Sequence, residues 1–162
     1  MKVERINIDN ASSASHIYAL SWKAAYDSII PKDYLDNLSL ERWTPLLKNS
    51  PFDGYVLEED NTYVATSSIS KGRDMLFSDW GEIISIYVLP SHYHKGYGKF
   101  LLNYVLKELF AKGYEKIYLW VLEENKVAKS FYEKNGFSFN GDKAKIVIGG
   151  KELTELRYTY NN

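Results

Sequence analysis

The chain has 162 residues, 45% hydrophobic and 15% aromatic, a composition that excludes wholesale disorder and predicts a single domain over 1–162 with a substantial core. Its 20 basic and 21 acidic residues give a net charge of −1, which argues against a general nucleic-acid or membrane-surface role. Cysteine is absent, which excludes disulfides, thiolate metal sites and cysteine nucleophiles. The charged N-terminal residues and the lack of a long apolar run predict a cytoplasmic protein without signal peptide or membrane span.

The first half of the chain predicts a strand, a group of helices and two further strands. Residues 2–8 alternate imperfectly between apolar and polar side chains, as a strand does. Ser12 or Ser13 can cap a helix that extends to about Tyr26. Its predicted core stripe consists of Ile17, Leu20 and Ala24. A second, aromatic stripe consists of Tyr18, Trp22 and Tyr26. The elements that follow are short helices at 32–38 and 40–48, strands at 55–58 and 62–70, and a loop at 71–79.

The second half predicts alternating strands and helices and then a terminal hairpin. The clearest helix has an apolar stripe from Leu101 to Leu109 and ends at Gly113. The predicted elements are strand 80–89, helix 98–112, strand 116–122, helix 125–135, strands 137–139 and 145–148, and strand 151–160 after the Gly149-Gly150 turn. This order predicts a mixed α/β fold, with a central sheet and helices on its faces.

A loop with two glycines, Ser91–Lys99, joins the strand at 80–89 to the helix at 98–112. The first N–H groups of a helix lack partners within the helix and lie at its positive end, and Lys95 and Lys99 add charge. The segment therefore predicts a seat for a ligand that carries phosphates. A P-loop is excluded because Phe100 stands where it needs Ser or Thr, and a Rossmann fingerprint is excluded because Leu101 stands where it needs Gly. The alternative to a phosphate seat is a tight turn that binds no ligand.

A second motif runs from Asn125 to Phe137. Within it, Asn125, Ala128, Lys129 and Tyr132 are spaced at i, i+3, i+4 and i+7, which places them along one helix face. The alternatives are that Asn125 only caps the helix and that Tyr132 is only a core aromatic.

Together the two motifs resemble the signatures of the GNAT superfamily of acetyl-CoA-dependent N-acetyltransferases. The signature Arg/Gln-x-x-Gly-x-Gly/Ala corresponds to Tyr93–Gly98, and Asn-x-x-Ala-x-x-Phe-Tyr-x-x-x-Gly-Phe is complete over Asn125–Phe137. The order of elements fits the family along nearly the whole chain. Tyr93 departs from the pattern, and His94 and Lys95 are the candidates to replace the missing cation. The resemblance implies the GNAT fold, a mostly antiparallel sheet of six to seven strands with a splay between strands 4 and 5.

The resemblance also implies acetyl-CoA as cosubstrate. Its pyrophosphate would lie on the amides of the loop, its pantetheine arm would pair with strand 80–89, and the N–H near Val88 would bind the thioester carbonyl. The implied cofactor-binding residues are Ile86, Tyr87, Val88, His94, Lys95, Gly96, Tyr97, Gly98, Lys99, Asn125, Ala128, Lys129 and Tyr132. No metal is expected, because His92 and His94 have no accompanying ligand cluster in the sequence.

Acetyl transfer to an amine needs a base and an acid. An alkylammonium of pKa ~10.4 must lose a proton before it attacks, and Glu82, the only carboxylate in strand 80–89, lies where histone-acetylating members carry their base. One alternative is that a chain of waters acts as the base. The other is that Glu82 faces solvent and has no catalytic role. Tyr132 is the candidate acid, because a phenol of pKa ~10 is protonated at neutral pH and can donate to the departing CoA thiolate.

The acceptor side is less well defined by the sequence. Trp22, Tyr26 and Trp80 are the candidate acceptor-binding residues, since aromatic faces suit an ammonium group. The expected reaction is direct attack of a primary amine of a small molecule or peptide on acetyl-CoA. The alternative is a catalytically idle acyl-CoA-binding sensor or regulatory module. A homodimer is the possible oligomer, and neither nucleic acid nor membrane is expected as a partner.

Overall fold

A computed structural model describes residues 1–161 of the chain. Seven strands form one sheet in the order β1-β2-β3-β4-β5-β7-β6, and every neighbouring pair is antiparallel except β4 and β5. The strands are β1 (Lys2–Arg5), β2 (Asp53–Glu59), β3 (Thr62–Lys71), β4 (Gly81–Val88), β5 (Ile117–Leu122), β6 (Phe137–Ile148) and β7 (Lys151–Tyr160). The helices are α1 (Ala11–Ala25), α2 (Lys32–Asp36), α3 (Thr44–Lys48), α4 (Tyr97–Ala111) and α5 (Lys126–Lys134).

The fold follows the predicted mixed α/β class with helices on both faces of the sheet. α4 buries Leu101, Leu102, Val105, Leu106 and Leu109, and these side chains join the main core cluster with residues of β3, β4 and β5. On the opposite face, α1 crosses β3 and β4. Among residues 1–161, no helix has the length and apolar character needed to cross a bilayer.

Several details differ from the prediction. β1 is shorter than predicted, and α1 begins after Asn10 rather than after Ser12 or Ser13. In α1, Leu20 is 40% exposed and Ala24 is exposed, so the predicted core stripe is wrong at both positions. The buried face of α1 contains serines instead. Ser21 can be buried there because its hydroxyl donates to the Val88 carbonyl at 2.8 Å, which satisfies the hydrogen-bonding capacity of the hydroxyl within the core. The two short strands predicted at 137–139 and 145–148 are one strand, β6, whose register against β7 shifts between Phe139 and Lys143.

β4 and β5 separate after a short parallel stretch, and we call the space between them the strand gap. The two strands pair only at Gly81–Ile117, Glu82–Tyr118 and Ile83–Leu119. Beyond Ile83, β4 continues to Val88 against β3 alone. Ile84 is an extra residue in β4, since Ser68 faces Ser85 while Ile69 faces Ile83. A bulge of this kind bends its strand and increases its twist, and it lies at the predicted splay.

Candidate active site

The strand gap exposes backbone groups of β4 that no neighbouring strand uses within residues 1–161. The Leu89 N–H donates to the Val64 carbonyl at 2.8 Å and so points toward β3. Successive N–H groups of a strand point in opposite directions, so the Val88 N–H faces the gap. This places a fixed hydrogen-bond donor where a ligand that lies in the gap can reach it.

The loop that follows β4 presents the N-terminus of α4 at the end of the gap. Gly96 is the N-cap with φ +85°, and His94 is also left-handed with φ +61°. The first helical bond runs from the Phe100 N–H to the Gly96 carbonyl at 3.0 Å, which leaves the preceding N–H groups of the helix end free of intrahelical partners. Lys95 and Lys99 are exposed beside them. Donors, helix dipole and two cations together fit a phosphate-bearing ligand.

Tyr93 stands in this loop where the family pattern has Arg or Gln. Its side chain is 38% exposed, and its ring lies 6.4 Å from that of His94. Burial raises the pKa of the Tyr93 phenol, so this position is neutral at physiological pH. The positive charge of the loop comes from Lys95 and Lys99.

The second motif meets the loop at Gly98. A Cβ on Gly98 would lie 3.4 Å from the Phe131 ring and 3.5 Å from Val88 Cγ2. Ala128 and Phe131 of α5 pack against the same core cluster as Ile86 and Val88. The structure therefore brings β4, the loop and α5 to one place, although they are separated along the sequence.

Asn125 caps α5, as one of its two interpretations predicted. Its Oδ1 accepts from the Ala128 N–H at 3.1 Å. The cap occupies the carbonyl oxygen of the side chain and leaves the amide NH2 group to donate elsewhere. Lys129, one position after Ala128, is partly exposed on the same helix.

Tyr132 projects from α5 into the core beside the gap. The side chain is 9% exposed, and its ring lies 5.4 Å from that of Phe131 and 5.8 Å from that of Phe137. Burial, with a smaller contribution from nearby Tyr87, raises the pKa of the Tyr132 phenol. The phenol is therefore protonated at neutral pH and can donate a proton.

Glu82 is buried rather than solvent-facing, so the solvent-facing interpretation is wrong. The residue is 1% exposed. Its carboxylate accepts from the Arg73 backbone N–H at 3.0 Å, from Arg73 Nη2 at 2.7 Å and from the Tyr118 hydroxyl at 2.8 Å. Burial and this bond to Glu82 raise the pKa of Tyr118 to about 12. A carboxylate held by these donors must release one of them before it takes a proton directly.

An aromatic wall, formed by Trp22, Tyr26 and Tyr87, lies on the α1 side of the gap. Trp22 Nε1 donates to the Tyr87 hydroxyl at 3.0 Å, and the rings of Trp22 and Tyr26 are 5.2 Å apart. Burial raises the pKa of Tyr26 to about 12 and that of Tyr87 well above its ordinary value. The Tyr87 side chain thus belongs to this wall, while Ile86 and Val88 face α5.

Trp80 does not join the aromatic wall. Its ring packs against Phe77 at 4.8 Å and lies over the Lys116 ammonium at 5.4 Å. Both contacts are at the end of β4 where it pairs with β5, because Trp80 immediately precedes Gly81. The structure therefore unites Trp22 with Tyr26 and leaves Trp80 at the opposite end of the strand.

A buried arginine on β7 was missed by the sequence reasoning. Arg157 is 4% exposed, and its guanidinium stacks on Phe77 at 3.6 Å and on Trp120 at 4.5 Å. Its Nη2 lies 2.6 Å from Asp74 Oδ2. The sequence carries no clear signal, since Arg157 shares one face of β7 with Glu155 and Thr159 and its partners are far away along the chain. This cluster fastens the loop after β3 to the sheet.

Comparison with known proteins agrees with this geometry. The model of the Acetyltransferase (GNAT) family matches residues 14–137. The chain belongs to the GNAT family. Two relatives are each 24% identical over 98% of both chains: the uncharacterized N-acetyltransferase YuaI of Bacillus subtilis and the spermidine N(1)-acetyltransferase of Thermoplasma acidophilum.

Solved structures share the GNAT fold. The PaiA N-acetyltransferase from Thermoplasma acidophilum, crystallised in complex with coenzyme A, superimposes with a TM-score of 0.72 at 23% identity, covering 96% of this chain and 98% of that one. The ribosomal-protein-alanine N-acetyltransferase from Brucella melitensis gives a TM-score of 0.75 at 19% identity, covering 98% of both chains. At these identities the likeness shows the fold.

Proposed function

We propose that the protein is an N-acetyltransferase that transfers the acetyl group of acetyl-CoA to a primary amine of a small molecule or peptide by direct attack. The observation that carries the proposal is the strand gap, with the N-terminus of α4 at its end and the buried Tyr132 phenol beside it. The names of the two N-acetyltransferase relatives and the coenzyme A complex of PaiA support this choice.

In this proposal the chain holds acetyl-CoA mainly through its backbone. The pyrophosphate binds the N–H groups of His94 to Lys99, and the pantetheine arm lies in the strand gap along Ile86, Tyr87 and Val88. Asn125 donates its free amide group to the arm, while Ala128 and Lys129 line the same side. The Val88 N–H stabilises the negative charge that develops on the thioester oxygen, as fixed donors do in acyl transfer.

Tyr132 is the proposed acid. When the amine nitrogen bonds to the acetyl carbon and the carbon–sulfur bond breaks, the electron pair leaves with the CoA sulfur. The Tyr132 phenol then supplies the proton that this sulfur takes up, and the phenolate regains a proton as the nitrogen loses its second proton to become the amide. Because burial raises the Tyr132 pKa, the phenol carries this proton across the whole physiological pH range.

Glu82 is the proposed base, and its burial decides how it acts. A side chain that is 1% exposed cannot touch an acceptor amine that lies in the gap. We therefore assign the proton of the ammonium group to Glu82 through intervening water, which combines the two alternatives that the sequence left open. Arg73 and Tyr118 hold the carboxylate in place until the transfer, and one of these donors must release it when the proton arrives from the water.

One observation favours the second candidate, an idle acyl-CoA-binding sensor. The only carboxylate of β4 is committed to an ion pair with Arg73 at 2.7 Å, and such a pair is also what a purely structural glutamate would form. The sensor would bind acetyl-CoA through the same gap and loop but would release no thiol.

A thiol-release assay separates the two candidates. Purified protein is incubated with acetyl-CoA and a panel of polyamines, aminoglycosides, amino acids and peptides, and CoA binding is measured in parallel by native mass spectrometry. Thiol release with at least one amine supports the transferase. Tight CoA binding without thiol release for any amine supports the sensor. A melting temperature that rises with ATP rather than with CoA would contradict both candidates.

A further inference from the structure

Glu155 lies on β7 at the level where β4 and β5 have already separated. It faces Leu122 of β5 and Ala144 of β6 in the sheet. Residues two apart on a strand share a face, so Glu155 projects to the same side as Leu153 and Arg157. Leu153 belongs to a cluster against which Trp22 and Tyr26 pack. The carboxylate of Glu155 is therefore placed between the aromatic wall and the Arg157 guanidinium.

Among residues 1–161, no hydrogen bond or ion pair holds this carboxylate, unlike the other acids on the same face. Arg73 is committed to Glu82 at 2.7 Å, and Arg157 to Asp74 at 2.6 Å. Glu155 is only partly exposed, and burial raises its pKa, with Glu82 adding to the shift and Arg73 opposing it. A half-buried carboxylate that has lost part of its water and forms no ion pair or hydrogen bond is a site prepared for a positive ligand group.

We propose that Glu155 binds a cationic group of the acceptor other than the nitrogen that is acetylated, so that the acceptor carries at least two amines. This inference rests on the proposed transferase function. A carboxylate beside the reacting nitrogen stabilises its ammonium form and opposes the deprotonation that attack requires. A carboxylate that pairs with a second ammonium group gains the same attraction without this penalty.

The surroundings of Glu155 suit an organic cation. Trp22 and Tyr26 offer aromatic faces on one side, and such faces attract alkylammonium groups. The acceptor would enter from the α1 face, place one amine in the strand gap and leave the other beside Glu155. In this arrangement the cosubstrate and the acceptor approach from opposite faces of the sheet, since Ile86 and Val88 face α5.

The test compares butylamine with its diamine counterpart putrescine in the thiol-release assay. Wild-type protein is expected to show a lower KM for the diamine. Glu155→Gln is expected to raise the KM for the diamine at least about tenfold, while the kinetics with butylamine and the KM for acetyl-CoA stay as in wild type. Glu152→Gln is the matched control, because this exposed glutamate lies on the same strand and its loss should leave both amines unaffected.

Four results would overturn the inference. Equal efficiency of the two amines in wild type, or an unchanged diamine preference in Glu155→Gln, removes the second-cation site while the transferase stands. An equal loss for both amines, with an unchanged melting temperature, assigns Glu155 to the reacting nitrogen instead. Failure of wild type to acetylate any amine refutes the proposed function itself, and the inference falls with it.

Discussion

Replacing Tyr132 by phenylalanine removes one oxygen atom from the site and leaves the packing in place. The ring of residue 132 keeps its edge-on contacts with Phe131 and Phe137, at 5.4 Å and 5.8 Å. The fold should therefore keep its stability, and the affinity for CoA should stay near the wild-type value. What is lost is the only proton donor that the mechanism assigns to the leaving sulfur.

The expected decrease in kcat follows from the chemistry of the leaving thiol. A thiol of pKa ~8.5 leaves as a thiolate at neutral pH unless it is protonated during bond cleavage, and general acids typically contribute about 10²–10⁴-fold. Since water can partly replace the phenol, we expect kcat to fall at least about tenfold, which equals ~1.4 kcal/mol of barrier.

Steady-state thiol release with saturating acetyl-CoA measures kcat, and titration calorimetry measures CoA affinity. Tyr55→Phe is the matched control, because its hydroxyl bonds Glu108 at 3.2 Å, in the last turn of α4 and so at the opposite end of that helix from the gap. An unchanged kcat in Tyr132→Phe would remove Tyr132 from the mechanism, and a large loss of CoA affinity would give the residue a binding role instead.

Three further predictions concern stability. Gly96→Ala should cost about 1 kcal/mol in urea unfolding because Gly96 has φ +85°, whereas Gly98→Ala should cost less because its Cβ meets only ordinary contacts. Equal losses would contradict this reasoning. Bonds from Thr44, His16 and Ser12 lower the pKa of Glu41 to about 2, below its unfolded value near ~4.3. Their contribution is therefore present above pH ~4.3 and lost as the pH falls toward about 2, and Glu41→Gln should flatten this part of the stability profile. Arg157→Lys should lower stability by about 1–2 kcal/mol, since an ammonium cannot stack on Phe77 as a guanidinium does; an unchanged melting temperature would refute a role for the stacking.

Local patterns predicted the elements that depend on local chemistry. The helix predicted at 98–112 is observed at Tyr97–Ala111 and the helix predicted at 125–135 at Lys126–Lys134, because apolar periodicity and glycine ends are both readable within one segment. The free helix end and the Asn125 cap follow from the same local rules. The stripe on α1 failed at Leu20 because the buried face is satisfied by hydrogen bonds to distant carbonyls, which periodicity does not report.

The candidate site was only partly predictable for the same reason. Spacing placed Tyr132 on the face of α5 that is buried, but nothing local shows that Arg73 holds Glu82 or that Asp74 holds Arg157, 83 residues away. The ion pairs form because β4, β5 and β7 are neighbours in the sheet, and this strand order is not visible in any local segment of the sequence. Glu155 was overlooked because an acidic residue in a terminal strand has no motif around it.

The irregular part of β6 has a consequence for association between copies of the chain. β6 is twelve residues long and forms one outer edge of the sheet, and an outer strand of this length is a template for another strand. Pairing with β7 is interrupted between Phe139 and Lys143, and exposed Lys143 and Lys145 follow. A bend and closely spaced positive charges both oppose the addition of a strand from a second molecule. The polar residues that split the apolar pattern into two apparent strands therefore protect this edge from aggregation.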